Sequence, residues 1–236
     1  MVLTAVSELR RHYPKAKIDL LTNVSNIDKK IASTYSINLI TYDKKEFIKN
    51  LFFLFFWKIL SLFRIHKKDT LQLKILNSYS KADLILDVGG ITFTDESNYG
   101  HLALCIANML PAIFFKKKII KYSQALGPFN NILNRLFAKK ILKYVTTIIA
   151  RGKLTEKLLD DISIKENVVV CADSAFILKK EKTSKINNLT KNIPKETLIV
   201  GVTPSAVLFR TAPPEGMRAL SKFLNLIIKE YNATVV

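Results

Sequence analysis

The chain has 236 residues, 49% of them hydrophobic and 24% charged, a balance that excludes a disordered chain and supplies one large or two small folded domains. Lysine and arginine total 37 against 19 aspartate and glutamate, giving a formal charge of +18. That charge suits an anionic partner, and 7 Gly with 7 Pro are too few for a loop-rich all-β protein.

No RNA-binding aromatic pattern, zinc spacing or recognition-helix pattern accompanies the charge, so nucleic acid is not an expected partner. The opening MVLTAVSELRRHYP lacks the basic head, apolar stretch and cleavage site of a signal peptide. Instead Val2, Leu3, Val6 and Leu9 fall on one helical face, with Glu8, Arg10 and Arg11 on the other. A strand is predicted over Lys17–Leu21, a helix over Ile27–Tyr35 behind the cap candidates Asn23 and Ser25, and a strand over Ile37–Ile40. This rhythm predicts a doubly wound α/β sheet. Such sheets open with a strand whose following turn binds ligand, and here the chain opens in the helix. The first strand and its ligand loop are therefore expected to be missing.

Phe47–Ile65 is the most apolar stretch. Its unbroken part, Leu51–Trp57, is far shorter than the ~20 residues of a membrane span. Two readings stand: a core helix, or a helix lying in a membrane interface with Trp57, Lys49, Lys58, Arg64, Lys67 and Lys68 at the headgroups. A helix over Leu71–Tyr79 precedes the apolar run Leu84–Leu86, bounded by Asp83 and Asp87 and read as a buried strand. It ends at Gly89-Gly90, where paired glycines permit positive φ and close ligand approach. A plain tight turn is the alternative, since a lone glycine pair is a weak signal.

Beyond it the pattern predicts a helix over Tyr99–Leu110 stopped by Pro111, and a strand over Lys118–Tyr122 feeding Ser123–Phe129. A basic amphipathic helix over Asn130–Leu142 and a strand over Thr147–Ala150 running into Arg151 come next. A helix over Lys153–Asp161 and a strand over Val168–Cys171 complete the run. Cys105 and Cys171 sit in apolar surroundings and read as small buried hydrophobes, which fits a reducing cytoplasm. The polar run from Lys179 to Lys195 reads as a linker. A strand over Leu198–Val202, a loop at Thr203–Ser205, a helix over Pro213–Tyr231 and a strand starting at Thr234 follow, so both ends are expected to be cut.

Four strand-end segments carry special residues: Gly89-Gly90 with Thr92, Thr94 and Asp95; Gln124 with Gly127-Pro128; Arg151; and Thr203-Pro204-Ser205. In a parallel sheet they share one edge, where their polar groups can converge. Each also has a plainer reading: a turn at Gly127-Pro128, helix capping by Thr203 and Ser205, a surface charge at Arg151. His12, His66 and His101 lack carboxylate partners at telling spacings and read as surface or packing residues. No catalytic triad, P-loop, nucleophile elbow or metal-ligand cluster appears.

DVGGITFTD at 87–95, YSQALGPF at 122–129, IIARGKLTEKLL at 148–159 and CADSAFIL at 171–178 together resemble the polysaccharide pyruvyl transferase family. The N-terminal LTAVSELRRHYPKAKIDLLTN resembles that family's first helix and second strand, and GVTPSAVLF at 201–209 the opening of its second domain. The resemblance implies a GT-B-like pair of Rossmann-like domains: residues 1–178, a linker over 179–195, and an incomplete second domain over 196–236. It implies pyruvyl transfer from phosphoenolpyruvate to two hydroxyls of a saccharide, lipid-linked or polymeric, forming a cyclic ketal in cell-surface polysaccharide, with phosphoenolpyruvate as donor substrate and no cofactor. Arg151 matches the family's arginine at this strand end and is expected to bind the donor. Gly89 and Gly90 would offer backbone N–H groups, Thr203 and Ser205 would meet phosphate, and Asp95 and Gln124 would line the same edge. The family's general acid, a histidine of the second domain, is expected beyond Val236. The chain departs from the family pattern at Gly152, where an acidic residue is usual, and at Ile91, where a third glycine is usual. The expected location is cytoplasmic, with peripheral contact at the inner membrane face through Phe47–Ile65. An inactive scaffold of a glycan-synthesis complex, or a glycosyltransferase using a nucleotide sugar, are the alternatives.

Overall fold

The computed structural model describes residues 1–22, 26–43, 47–50, 74–178, 198–203 and 214–235. Contacts divide the chain into two compact units, Met1–Leu178 and Lys179–Val236.

The first unit opens with α1 (Val2–His12), β1 (Asp19–Thr22), α2 (Asn26–Thr34) and β2 (Asn38–Thr41). β1 and β2 pair in parallel from Asp19↔Asn38 to Thr22↔Thr41. Val6, Ala32 and Ile37 form the small core beneath them. Arg10 closes the end of α1 by donating from its guanidinium to the carbonyls of Pro14, Ala16, Tyr35 and Ser36. Residues 47–50 are helical, and Phe47 is buried with its ring stacked on Tyr42 at 5.0 Å. The rest of the apolar stretch at Phe47–Ile65 lies outside the described residues, and so does its interfacial reading.

Then come α3 (Lys74–Lys81), β3 (Leu84–Asp87), β4 (Ile91–Thr92), α4 (Tyr99–Phe114), β5 (Lys118–Leu126), α5 (Ile132–Leu142), β6 (Thr147–Arg151), α6 (Lys153–Asp161) and β7 (Val168–Cys171). The strands order as β3-β5-β6-β7, all parallel, with β4 also on β5. This is a Rossmann-like α/β sheet flanked by helices. Its core runs through Ile119, Leu126, Leu142, Ile148, Ala150 and Leu159, and Leu21, Ile40 and Tyr42 pack against the same cluster. The Tyr79 hydroxyl ties α3 to α4 by donating to the Asn108 carbonyl at 2.9 Å.

Several expectations change. α4 continues through Pro111 to Phe114; proline removes one helical N–H, but buried Met109, Pro111 and Ala112 hold the turn together. Cys171 is exposed, because it ends β7, where alternation turns Val169 and Cys171 outward; only Cys105 is buried. β3 stops at Asp87, just before the glycine pair, but the chain does not leave the sheet there. The chain resumes pairing at β4, with Ile91↔Ala125 and Thr92↔Leu126. Neither Gly89 nor Gly90 uses positive φ. Gly89 instead sits in a crowded place: a Cβ there would lie 3.0 Å from Thr92 Cγ2 and 3.2 Å from Asp87 Oδ1, so these side chains would have to give way.

In the second unit, β8 (Ile199–Val200) and β9 (Thr234–Val235) pair in parallel around α7 (Pro214–Tyr231), a β-α-β unit among the described residues.

Candidate functional site

Because β3, β5, β6 and β7 run parallel, their carboxyl ends share one edge. That edge brings together Gly89-Gly90, Gln124, Gly127-Pro128 and Arg151. Thr203 follows β8 in the second unit and is exposed, while Ser205 lies outside the described residues.

Under the edge sits a polar cluster centred on Lys121, which is 1% exposed. Its ammonium donates to Asp87 Oδ2 at 2.6 Å, Gln124 Oε1 at 3.0 Å and Thr92 Oγ1 at 3.3 Å, so all three donors are used. Thr92 donates to Gln124 Oε1 at 2.8 Å, and Gln124 Nε2 donates to the Asp87 carbonyl at 2.8 Å. Gly89 N–H donates to Asp87 Oδ1 at 3.0 Å. Phe93 lies beneath, its ring centroid 5.2 Å from Lys121 Nζ. Burial, the largest single influence on Asp87, pushes its carboxyl up. The Lys121 charge and the hydrogen bonds from Lys121, Gly89 and Gln124 outweigh it and hold the carboxyl below its ordinary value. Gln124 is therefore a wholly buried member of this network.

A bulge makes the cluster possible. Lys121 pairs with Ile148 but Gln124 with Ala150, so Tyr122 and Ser123 together oppose Ile149 alone. Ser123 takes φ 51. Absorbing the extra residue in the bulge keeps Gln124 on the face that Lys121 occupies. Buried Ser123 accepts the Ser174 N–H at 2.9 Å, tying β5 to the turn after β7.

Asp95 is engaged on both oxygens. Oδ2 accepts the backbone N–H groups of Asn130 and Asn131, and Oδ1 accepts Asn134 Nδ2 at 2.7 Å. The Asn134 amide also donates to the carbonyls of Phe93 and Pro128. Asp95 thus clamps the 127–131 loop and the start of α5. An open cleft of about 300 Å³ adjoins it, lined by Thr94, Ser97, Asn98, Tyr99 and Asn131 among others.

Arg151 closes the carboxyl end of β6. Its Nη1 lies 3.1 Å from Asp173 Oδ2. Asp173 Oδ1 accepts the Ala175 N–H at 2.9 Å. That amide first, and then Arg151, hold the Asp173 carboxyl below its usual range. Next to Arg151, Gly152 caps α6 with φ 89 and ψ 166, a region only glycine occupies readily, and no side chain caps the helix. The residue bearing this guanidinium thus lies immediately before a helix start that has no side-chain cap, and a cation and helix N–H groups are both suited to a carboxylate or phosphate. Among the described residues the buried Thr4 Oγ1 lacks a hydrogen-bond partner, and Ser174 belongs to the turn against which α1 packs.

Sequence reasoning missed Lys121, Asp173 and Ser123. A lysine at the second inward position of KIIKYSQ was the available signal, since a charge at a core position of a central strand needs a partner. Among the described residues no group of His, Cys, Asp and Glu could hold a metal ion, and no helix is long and apolar enough to cross a membrane.

A family model described as polysaccharide pyruvyl transferase matches residues 1–233. Neither a curated protein nor a solved structure matches the chain.

Proposed function

The chain belongs to the polysaccharide pyruvyl transferase family, transferases of polysaccharide synthesis, and on that premise we propose that it moves the pyruvyl group of phosphoenolpyruvate onto two sugar hydroxyls. The enol carbon takes a proton, the first hydroxyl adds to the carbon bearing the phosphate ester, and the second displaces inorganic phosphate. The product is a cyclic ketal whose carboxylate makes the glycan anionic.

The observation that carries this reading is Arg151 beside the uncapped α6 N-terminus, held by Asp173 at 3.1 Å. Phosphoenolpyruvate bears a carboxylate and a phosphate, so its pocket needs a fixed cation and N–H donors in one place. The Asp173 contact fixes the guanidinium in advance, which lowers the entropy cost of binding the anion. Gly89 and Gly90 keep the neighbouring strand end free of side chains. The donor brings its own reactive group, so no cofactor enters. We place the reaction in the cytoplasm, where phosphoenolpyruvate is supplied, with the acceptor a saccharide, free or on a lipid carrier.

The test is release of inorganic phosphate from phosphoenolpyruvate in the presence of saccharide acceptors, with the ketal detected by its methyl resonance. Arg151→Ala is expected to lower turnover at least about tenfold, the size of a lost charge-assisted contact. Unchanged kinetics in that variant would remove Arg151 from the site.

A further inference from the structure

The outward face of α5 carries large apolar side chains where a solvated helix carries polar ones. Ile132, Leu133, Leu136 and Phe137 are 79%, 44%, 60% and 38% exposed. The helix packs inward through Asn134, Ala138, Ile141 and Leu142, whereas Ile132, Leu133, Leu136 and Phe137 lie on the opposite side, exposed. At about 100° per residue, Lys139, Lys140 and Lys143 return to the same outward arc one to two turns later. Residues 131–145 contain no acidic side chain. None of these lysines is paired with a carboxylate among the described residues; Lys139 reaches Ser163 Oγ, and Lys143 lies over the Tyr144 ring.

We propose that this face of α5 docks on an anionic lipid surface, an inference independent of the transferase reading. Apolar side chains on the first turns can enter the acyl boundary, while the lysines of the last turn keep their stems in the same layer and their ammonium groups at the phosphates. The core of a protein–protein interface is depleted in lysine, whereas here lysines share the arc with the apolar residues. The chain's +18 charge adds long-range attraction of the same sign. At the start of the helix Tyr99, 64% exposed, extends the apolar edge, its hydroxyl 3.2 Å from Asn131 Nδ2. Docking there sets the loop clamped by Asp95 next to the bilayer.

Vesicle flotation of the full chain tests this, using phosphatidylcholine with and without phosphatidylglycerol. Flotation is expected only with phosphatidylglycerol. It should weaken at least about tenfold in Ile132→Glu/Leu136→Glu and, separately, in Lys140→Glu/Lys143→Glu. All four positions are exposed, and circular dichroism of each variant verifies the fold. No flotation of the wild type, equal binding to neutral vesicles, or equal binding by both variants overturns the proposal. A lipid-free dimer that the same substitutions dissociate would assign the face to a second copy and overturn it as well.

Discussion

Lys121 stands directly opposite Asp87 in the parallel ladder between β5 and β3, with Nζ 2.6 Å from Oδ2. The lysine side chain is 1% exposed and the aspartate 27%, so the pair is dry on one side and meets solvent on the other. Removing one partner of a buried pair strands the other charge and costs about 3–5 kcal/mol. Asp87 keeps some water, so Lys121→Ala should fall at the low end, about 3 kcal/mol. Lys121→Met/Asp87→Asn strands no charge and should lose less. Urea unfolding at neutral pH measures both, and equal losses would show that packing, not charge, sets the cost.

The same pair makes stability depend on acid. The Asp87 carboxyl is held below its ordinary value of 3.8 in the folded state, so the folded chain favours the ionised form. Its contribution is fully present above that ordinary value and is lost as pH falls through the lower folded-state value. Asp87→Asn should flatten the acid limb of the stability curve below about pH 4. An acid limb unchanged by the substitution would assign it to other carboxylates.

Asp95 accepts from two backbone amides and one side-chain amide, all within the chain. Asp95→Ala leaves these donors at the mouth of α5 unpaired and should destabilise by about 2–3 kcal/mol, the range for hydrogen bonds to a charged group. Phosphoenolpyruvate KM should move little in the folded fraction. Intact stability with weakened donor binding would make Asp95 a ligand group instead.

Asp173 holds Arg151 in place, and its loss should be read in KM. Asp173→Ala frees the guanidinium, and phosphoenolpyruvate KM should rise by between a few-fold and about a hundredfold, the range for misplacing a binding group. Retained KM would show that Arg151 finds its position without this partner.

Gly152 occupies φ 89 and ψ 166 with nothing within 4 Å of a built Cβ, so only backbone strain opposes a side chain there. Gly152→Ala should cost about 1–3 kcal/mol in thermal or urea unfolding. A neutral result would mean that the start of α6 relaxes freely.

Much of the sheet was readable because its strands are short apolar runs between helices of clear period. Val168–Cys171 and Lys153–Asp161 match residue for residue. Arg151 and the glycine pair could be picked out as strand-end positions because special residues stand out against apolar runs. The Lys121 cluster was not found, because its members come from β3, β4 and β5 and meet only through a bulge that no local pattern announces. The short strand β4 escaped for a related reason: two residues are too few to show alternation. Pro111 misled because propensity yields to tertiary packing when the turn is buried.

The bulge at Tyr122–Ser123 has an evolutionary corollary. Side chains along a strand alternate with a period of two, and the partner strand sets Ile149 alone against these two residues. Loss of either one would leave a regular ladder with Gln124 still on the face of the lysine and Leu126 still in the core it fills at 1% exposure, whereas loss of both would turn Gln124 and Leu126 to the other face. Single deletions should therefore survive in this interval in descendants of the chain, and double deletions should be purged.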